Sequence, residues 1–298
     1  MPIDSKSFAA TAHGRVHRCN ACGFEYVSPR PTPGQAKAFY EIDAYYTQGK
    51  SHMVEVENPS FFSRLRTHLA WRADAGENLI DVIAEEIPRG GLVVDIGCGG
   101  GQLIRILAER GIRGVGVERD VQAMSLRDSQ ISVLEGSAES LPRELKPGGC
   151  DGVVFSHVLE HLVDPRNALV NAVQLLRSGG LMFCEVPNNE SLIARQSGLS
   201  WEHLDIPRHI NFFALDTLVK LAEAVGLRIR RSYFSGYCRY FSDGYVATEQ
   251  LIHDRLPAGS HPSIRNSAAR SWKMLSRTFA AEPVRKYDSI GVVAEKVE

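Results

Sequence analysis

The residues in this chain best suited to chemistry are two acids and a set of glycines. Asp95 ends the apolar run Val93-Val94, Gly97, Gly99 and Gly101 follow it at alternate positions, and Glu118 closes the next short apolar run. An apolar run ending in an acid and a glycine-packed turn describes the edge of a nucleotide-binding strand. A pyrophosphate site needs G-x-G-x-x-G, so that the backbone can approach phosphates held at a helix N-terminus. Counted from Gly97, the third glycine of that pattern falls at Gln102, and the pattern fails. Asp95 would repel a pyrophosphate but attract an ammonium or sulfonium cation. The turn therefore suits a positively charged cofactor. Glu118, at the end of Gly114-Val115-Gly116-Val117, can accept two hydrogen bonds from a ribose diol.

Five segments in order extend this pattern: Val94-Asp95-Ile96-Gly97-Cys98-Gly99-Gly100-Gly101, then Gly116-Val117-Glu118, then Glu135-Gly136-Ser137-Ala138-Glu139, then the stretch from Asp151 to His161, then Leu175-Leu176-Arg177-Ser178-Gly179-Gly180. Together they resemble the motifs of class I S-adenosylmethionine-dependent methyltransferases. The resemblance implies an α/β fold with a doubly wound, seven-stranded, mainly parallel sheet of the Rossmann-like kind. It implies S-adenosylmethionine as cofactor, held by Asp95, Gly97, Gly99, Gly101, Glu118 and Arg119, with Ser156 and His157 near its methionine part. At the adenine end, many relatives carry an acid after the glycine that closes the third strand. Here Ser137 follows Gly136, so Ser137 or the backbone of Ala138 takes that place. Cys98 reads as a small residue suited to a tight turn.

Methyl transfer from a sulfonium is an in-line displacement, and much of its rate comes from positioning. An alcohol acceptor must also lose a proton, for which a histidine poised near neutrality is the natural base. The loop Ser200-Trp201-Glu202-His203-Leu204-Asp205-Ile206-Pro207-Arg208-His209 leaves the carboxyl end of a strand, where open parallel sheets bind ligands. It is similar to the Pro-Arg-His segment of related methyltransferases, which places it over the acceptor pocket. His209 is the first candidate base and His203 the second. Asp205 is placed to orient a histidine, Arg208 to meet an anionic group and Trp201 to form an apolar wall. The alternative is that Arg208 and His209 only tether the helix starting near Asp216. His161 reads as a packing or hydrogen-bonding residue.

His17-Arg18-Cys19-Asn20-Ala21-Cys22-Gly23-Phe24 looks like the second knuckle of a small zinc ribbon that precedes many such methyltransferase domains. A structural zinc takes four Cys or His ligands. The candidate ligands are Cys19, Cys22 and His17, with His13 nearby or another chain completing the set. The other reading is a relic turn with two free thiols.

The elements that must position these groups follow from periodicity. Strands are expected over 91–96, 113–118, 131–135, 151–156, 180–186 and 227–234, with helices over 101–110, 120–127, 165–177 and 215–225. The run from Asp288 to Lys296 reads as the final strand, which in the family lies antiparallel between the fifth and sixth. A helix is expected from Pro33, capped by Thr32. Phe61, Phe62, Leu65 and Leu69 recur at helix spacing, as do Leu79, Ile80, Val82 and Ile83, and these helices would cover the cofactor side of the sheet. Between Ser263 and Lys286, Ile264, Ala268, Trp272, Leu275 and Phe279 share a helical face with Arg265, Arg270, Lys273, Arg277 and Arg285 around it. Such a helix packs as a lid or dimer contact, or lies on a membrane surface. The division is therefore an N-terminal segment 1–50, a core 51–235, a helical insertion 236–286 and a final strand 287–298.

At 298 residues and 44% hydrophobic content the chain can bury one large core, or one core and a small appendage. Charges nearly cancel, 34 basic against 35 acidic, so no global field recruits nucleic acid or an anionic membrane. Arg228, Arg230 and Arg231 are the tight basic group and are expected on one strand's solvent edge. The six cysteines are expected as reduced thiols in a soluble, cytoplasmic protein, with no transmembrane run and a homodimer open. The leading expectation is O-methylation of a hydroxyl on a sugar, polyketide, quinol or similar small molecule. Transfer to nitrogen, carbon or carboxylate, and a non-catalytic cofactor-binding or docking protein, are the alternatives.

Overall fold

A parallel strand covered on both faces must be apolar along its length, because neither row of side chains meets water. Val93, Val94, Val153, Val154, Phe155, Met182 and Phe183 are all buried, on both rows of their strands. They lie in the middle of a seven-stranded sheet in the computed structural model, which describes residues 5–11, 14–32, 35, 54–119, 131–255 and 267–297.

First in order are β1 (Ser5–Thr11), β2 (Gly14–Cys19) and β3 (Glu25–Ser28), then the helices α1 (Phe61–Ala73) and α2 (Leu79–Glu86). The alternating part runs β4 (Leu92–Ile96), α3 (Gln102–Glu109), β5 (Arg113–Glu118), β6 (Ser132–Glu135), β7 (Cys150–Ser156), α4 (Pro165–Leu175) and β8 (Leu176–Pro187). Next come α5 (Leu192–Ser197), β9 (Asn211–Phe212), α6 (Leu215–Glu223) and β10 (Leu227–Ser235). The helices α7 (Asp243–Arg255), α8 (Ala268–Thr278) and α9 (Pro283–Lys286) precede β11 (Ser289–Lys296).

The large sheet has the order β10-β11-β8-β7-β4-β5-β6. β4 pairs in parallel with β5 and β7, β5 with β6 and β7 with β8, while β11 runs antiparallel to both β8 and β10. This is the doubly wound, mainly parallel sheet expected from the sequence, with the final strand inserted where expected. From β4 the chain steps outward to β5 and β6, then returns to build β7 and β8 on the other side. The order reverses between β4 and β7, and their carboxyl ends form the switch point at which such sheets bind ligands.

The strand expected over 180–186 is longer at both ends, because Leu176 already pairs with Cys150 across a register shift. The helix expected over 120–127 lies outside the described residues, as does nearly all of the one expected from Pro33. The first helix reverses the expected face. α1 buries Ser63, Arg66 and Ala70, whereas Phe61 and Phe62 are 74% and 68% exposed. The cause is Arg66, 1% exposed. Its Nε donates to Phe241 O at 2.7 Å and its Nη2 to Asp243 Oδ1 at 2.8 Å. Arg66 thereby ties α1 to the segment leading into α7; Phe61, Phe62 and Leu65 turn outward, while Leu69 packs against the buried aromatic cluster. α8 is also rotated from expectation: capped by Ser267, it buries Ser271, Met274, Leu275 and Thr278, and Phe279 just past its end is half exposed. Ile264 and Arg265 lie outside the described residues.

A second sheet, β1-β2-β3-β9, is antiparallel throughout. Through it the N-terminal hairpin joins the loop expected to face the acceptor. Val16, Val27, Leu199, Ile210 and Phe212 make a small core beneath this junction. At the far edge of the large sheet the arginines of β10 are paired: Arg228 with Glu295 at 2.6 Å, Arg230 with Glu86 at 3.6 Å, and Arg231 with Glu77 at 2.6 Å. Among the described residues no helix is long and apolar enough to cross a membrane.

Arg66→Ala removes the donors from a buried carbonyl and a carboxylate, and is expected to cost about 2–3 kcal/mol in denaturant unfolding. Phe61→Ser on the outward face is expected to change stability by no more than about 0.5 kcal/mol.

Candidate active site

The turn after β4 is shaped by backbone conformations that side chains disfavour. Gly97, Gly99 and Gly101 have φ of 76°, 50° and 73°, the left-handed region that glycine enters without steric cost. A Cβ at Gly97 would stand 2.6 Å from Val158 Cγ2, and one at Gly101 2.6 Å from Ile131 Cδ1. Gly101 then caps α3. Cys98 tucks into the space left by the missing side chain of Gly116, whose Cβ would fall 2.4 Å from its sulfur. The small-residue reading of Cys98 fits this contact.

Glu118 binds the turn to β5. Its Oε2 accepts from Gly99 N at 2.7 Å and its Oε1 from Arg119 N at 2.7 Å. A carboxylate oxygen can accept more than one hydrogen bond, so a diol-accepting role is compatible with this clamp. Asp95 is buried on the neighbouring β4, paired with Gly116. Burial, reinforced by the charge of Glu118, lifts its carboxyl to about 7. Arg119 reaches Glu139 at 2.8 Å, Ser137 Oγ accepts from Ser140 N at 3.1 Å, and Ala138 is buried. The expected cofactor residues Asp95, Gly97, Gly99, Gly101, Glu118, Arg119, Ser137 and Ala138 therefore gather around the carboxyl ends of β4, β5 and β6.

Beside Ser156 opens a cavity of about 470 Å³, lined by Asn78, Leu79, Gln102, Leu103, Glu185 and Ser235 among others. Its size suits a small molecule. His157, with φ of 54°, turns the chain away from β7. Its Nδ1 lies 3.3 Å from Glu160 Oε1 and its Nε2 3.5 Å from Glu185 Oε1. Burial works against the imidazolium, but Glu160 and Glu185 outweigh it and lift His157 to about 10. His157 is thus a fixed cation, unsuited to taking up a proton. Against the opposing effect of burial, His157 with His161 and His209 draws Glu160 down to about 2.

The loop from Ser200 to His209 brings its histidines together with this group. The His203 ring stacks near His157 at 6.3 Å between centroids and meets Trp201 edge-on at 5.4 Å. His203 Nε2 lies 3.2 Å from Asp288 Oδ2. Asp288 is fully buried; burial lifts its carboxyl to about 6, with Arg239 and His157 opposing. Arg239 Nε donates to the same Asp288 oxygen at 2.8 Å. His209, 3% exposed, donates from Nδ1 to His203 O at 2.6 Å and packs edge-on against His161 at 4.5 Å. His161 Nδ1 lies 3.2 Å from Arg208 O, and burial with the nearby His209 lowers its pKa to about 4. Its hydrogen-bonding, packing role is as expected from sequence. Arg208 binds Asp205 at 2.5 Å, while Trp201 is buried in the aromatic cluster with Tyr237, Tyr240, Phe241 and Tyr245.

Sequence reading missed Glu185 and Asp288. Glu185 is an acid near the end of the otherwise apolar stretch Leu181–Val186, a signal of the same kind as Asp95. Asp288 lies 85 residues from His203, and only tertiary structure joins them. At the N-terminus, Cys19 N donates to Phe24 O at 2.9 Å and Gly23 N to Cys19 O at 3.0 Å, closing the knuckle turn. His17 stacks on Tyr26 at 5.8 Å, and Cys22 is exposed. His13 lies outside the described residues.

The family model described as "Methyltransferase domain" matches residues 68–232, more than half of the chain. The chain belongs to this methyltransferase domain family. Among curated relatives, the ubiquinone biosynthesis O-methyltransferase of Idiomarina loihiensis is 28% identical over 150 residues, 45% of this chain and 60% of that protein. The protein of the same name from Roseobacter denitrificans is 27% identical over 192 residues, 60% of this chain and 75% of that one. The chain thus spans only part of the relatives it matches. Of solved structures, a SAM dependent methyltransferase from Archaeoglobus fulgidus superposes with a TM-score of 0.50 at 20% identity, covering 78% of this chain and 94% of that one. The cyclase SpnF gives a TM-score of 0.51 at 14% identity over 83% and 99%. The fold is therefore shared with proteins named for different reactions.

Asp95 gives this site a pH signature. In the unfolded chain it ionises near 3.8, in the folded protein only near 7. Between those values the folded state holds a proton that the unfolded state has lost. Its contribution to stability is therefore complete below the lower value and lost as pH rises through the higher. Without ligand, the protein should lose roughly 4 kcal/mol of stability from this group between the two limits. Asp95→Asn should flatten that slope in denaturation curves taken across the range. An unchanged slope would remove Asp95 as its source.

Proposed function

We propose that this protein is an S-adenosylmethionine-dependent O-methyltransferase acting on a hydroxyl of a small, quinol-like molecule. The observation that carries the reading is the meeting, at one switch point, of the Asp95–Glu118 glycine turn with the histidine loop. The first offers buried negative charge to a sulfonium and oxygens to a ribose diol. The second offers an oriented imidazole. The O-methyltransferase names of the curated relatives support the acceptor class.

In this reading Asp95 and Glu118 hold the cofactor, and Ser156 and His157 flank its methionine part. S-adenosylmethionine supplies the electrophilic methyl group; the chain's own residues align it with the acceptor. His203 is the base, its ring held by Asp288 and walled by Trp201. His209, too buried to meet an acceptor, positions His203 through the carbonyl bond at 2.6 Å. Arg208 and Asp205 line the acceptor entrance. The wider reading includes zinc at Cys19, Cys22 and His17, cytoplasmic location and a homodimer, for which the exposed Phe61 and Phe62 offer an apolar contact. Sedimentation and cell fractionation test the last two.

Calorimetric titration should give micromolar binding of S-adenosylhomocysteine or S-adenosylmethionine, abolished by Asp95→Ala and by Glu118→Ala. Normal affinity in both variants would sink the site. Because a cationic ligand favours ionised Asp95, affinity for S-adenosylmethionine should rise as pH passes through about 7, with a proton released on binding. With a catechol or quinol acceptor, His203→Ala should lower turnover by about 10²–10⁴ while cofactor affinity stays near wild type. Equal turnover would remove His203 as base.

A further inference from the structure

Behind the acceptor loop, Glu160, His161 and His209 bring one ligand atom each to within 4.8 Å of one another. They come from two segments, the turn after β7 and the loop before β9. Glu160 is completely buried, and neither of its oxygens accepts a hydrogen bond among the described residues, although His157 Nδ1 stands 3.3 Å away as an ion pair. His209 Nε2 is also buried without a hydrogen-bond partner. His157 faces one Glu160 oxygen and Asp205 Oδ2 stands 3.9 Å from His209 Nε2, but polar atoms buried without a hydrogen bond are costly, and a cation between them would satisfy both.

The two rings are oriented alike. His209 presents Nδ1 to His203 O at 2.6 Å and His161 presents Nδ1 to Arg208 O at 3.2 Å. A backbone carbonyl on one ring nitrogen is how metal-binding histidines are held, and it assigns the ligand role to Nε2.

We propose that Glu160, His161 and His209 form a binding site for one divalent transition-metal ion. Two imidazoles and a carboxylate suit Zn²⁺, Co²⁺, Mn²⁺ or Fe²⁺; Mg²⁺ and Ca²⁺ prefer sets made only of oxygen. Three protein ligands leave a position for water. Bonds of about 2.1 Å place tetrahedral ligands about 3.4 Å apart, so small side-chain rotations close the set. The ion would join the turn after β7 to the acceptor loop. Through His209 it would also fix the backbone of His203. The site is separate from Cys19 and Cys22 and does not rest on the methyl-transfer reading.

The test is titration of the purified full chain with Co²⁺, followed by visible absorption. The expected result is one equivalent bound with d–d bands and no thiolate charge-transfer band. Binding should survive in Cys19→Ser/Cys22→Ser and fall at least tenfold in Glu160→Gln and in His161→Ala. Circular dichroism melting checks that each variant folds, and the less buried His161 keeps the test open if Glu160→Gln does not. Absence of Co²⁺ and Zn²⁺ binding in the wild type, a thiolate band lost with the two cysteines, or undiminished binding in folded His161→Ala would each overturn the proposal. Titration of the same samples with S-adenosylhomocysteine separates this failure from failure of the cofactor reading.

Discussion

The arrangement depends on one constraint: β4 is paired in parallel on both sides. Because β5 and β7 take the same direction, all three strands deliver their carboxyl ends to one edge. The pairs Ile96–Val117 and Ile96–Phe155 fix how far each strand projects. The glycine turn after β4 is thereby set against Glu118 on one side and Ser156 on the other. A slip of one residue would turn each strand's side chains to the opposite face and separate these groups. Burial on both faces is what makes the register specific, and the site inherits its precision from the core.

The same edge concentrates negative charge, with Asp95, Glu118, Glu160, Glu185 and Asp288 all on it. Burial, with the charge of Glu118 adding to it, raises the carboxyl of Asp95. The protein offsets part of the charge internally. His157 answers Glu160 and Glu185, and Arg239 answers Asp288. His157 meets Glu160 and Glu185 only in part, since neither Glu160 oxygen accepts a hydrogen bond among the described residues, while Asp288 shared with Arg239 holds His203 in place.

Much of this was legible in the sequence because its cause is local. Asp95, the positive-φ glycines and Glu118 follow from strand ends and turn geometry, and both show as short patterns. The alternation of strands and helices gives the sheet, since a crossover helix forces its flanking strands to be parallel. What was not legible depends on distant partners. The outward face of α1 follows from Arg66, whose acceptors lie some 175 residues away; the apolar spacing of Phe61, Phe62 and Leu65 pointed the wrong way. Asp288 was read only as the start of a strand, although it orients His203. His209 reads as the more natural base by its Pro-Arg-His setting. Its burial and its carbonyl partner, which shift that proposed role to His203, have no counterpart in the sequence.

The N-terminal hairpin shows how such distant contacts serve the site. A connection of more than twenty residues between β8 and β9 would be expensive to hold in one conformation by its own contacts. Here it is fastened at several points. Asn211 Nδ2 donates to Leu159 O and Leu162 O at 2.9 and 2.7 Å, Val27 N bonds Ile210 O at 3.0 Å, and Arg30 reaches Asn211 Oδ1 at 2.8 Å. β3 pairs with β9, and the buried Glu25 gathers Arg18, Asn189 and Arg195. The hairpin therefore adds a sheet edge and a small core to a segment that lacks both. Its physical contribution is to remove freedom from the loop between α5 and β9, so that His203 meets Asp288 in a set geometry rather than as one of many loop conformations. That contribution needs no metal at Cys19 and Cys22, because the strand pairing and the Val16–Val27–Phe212 packing already hold the hairpin in place.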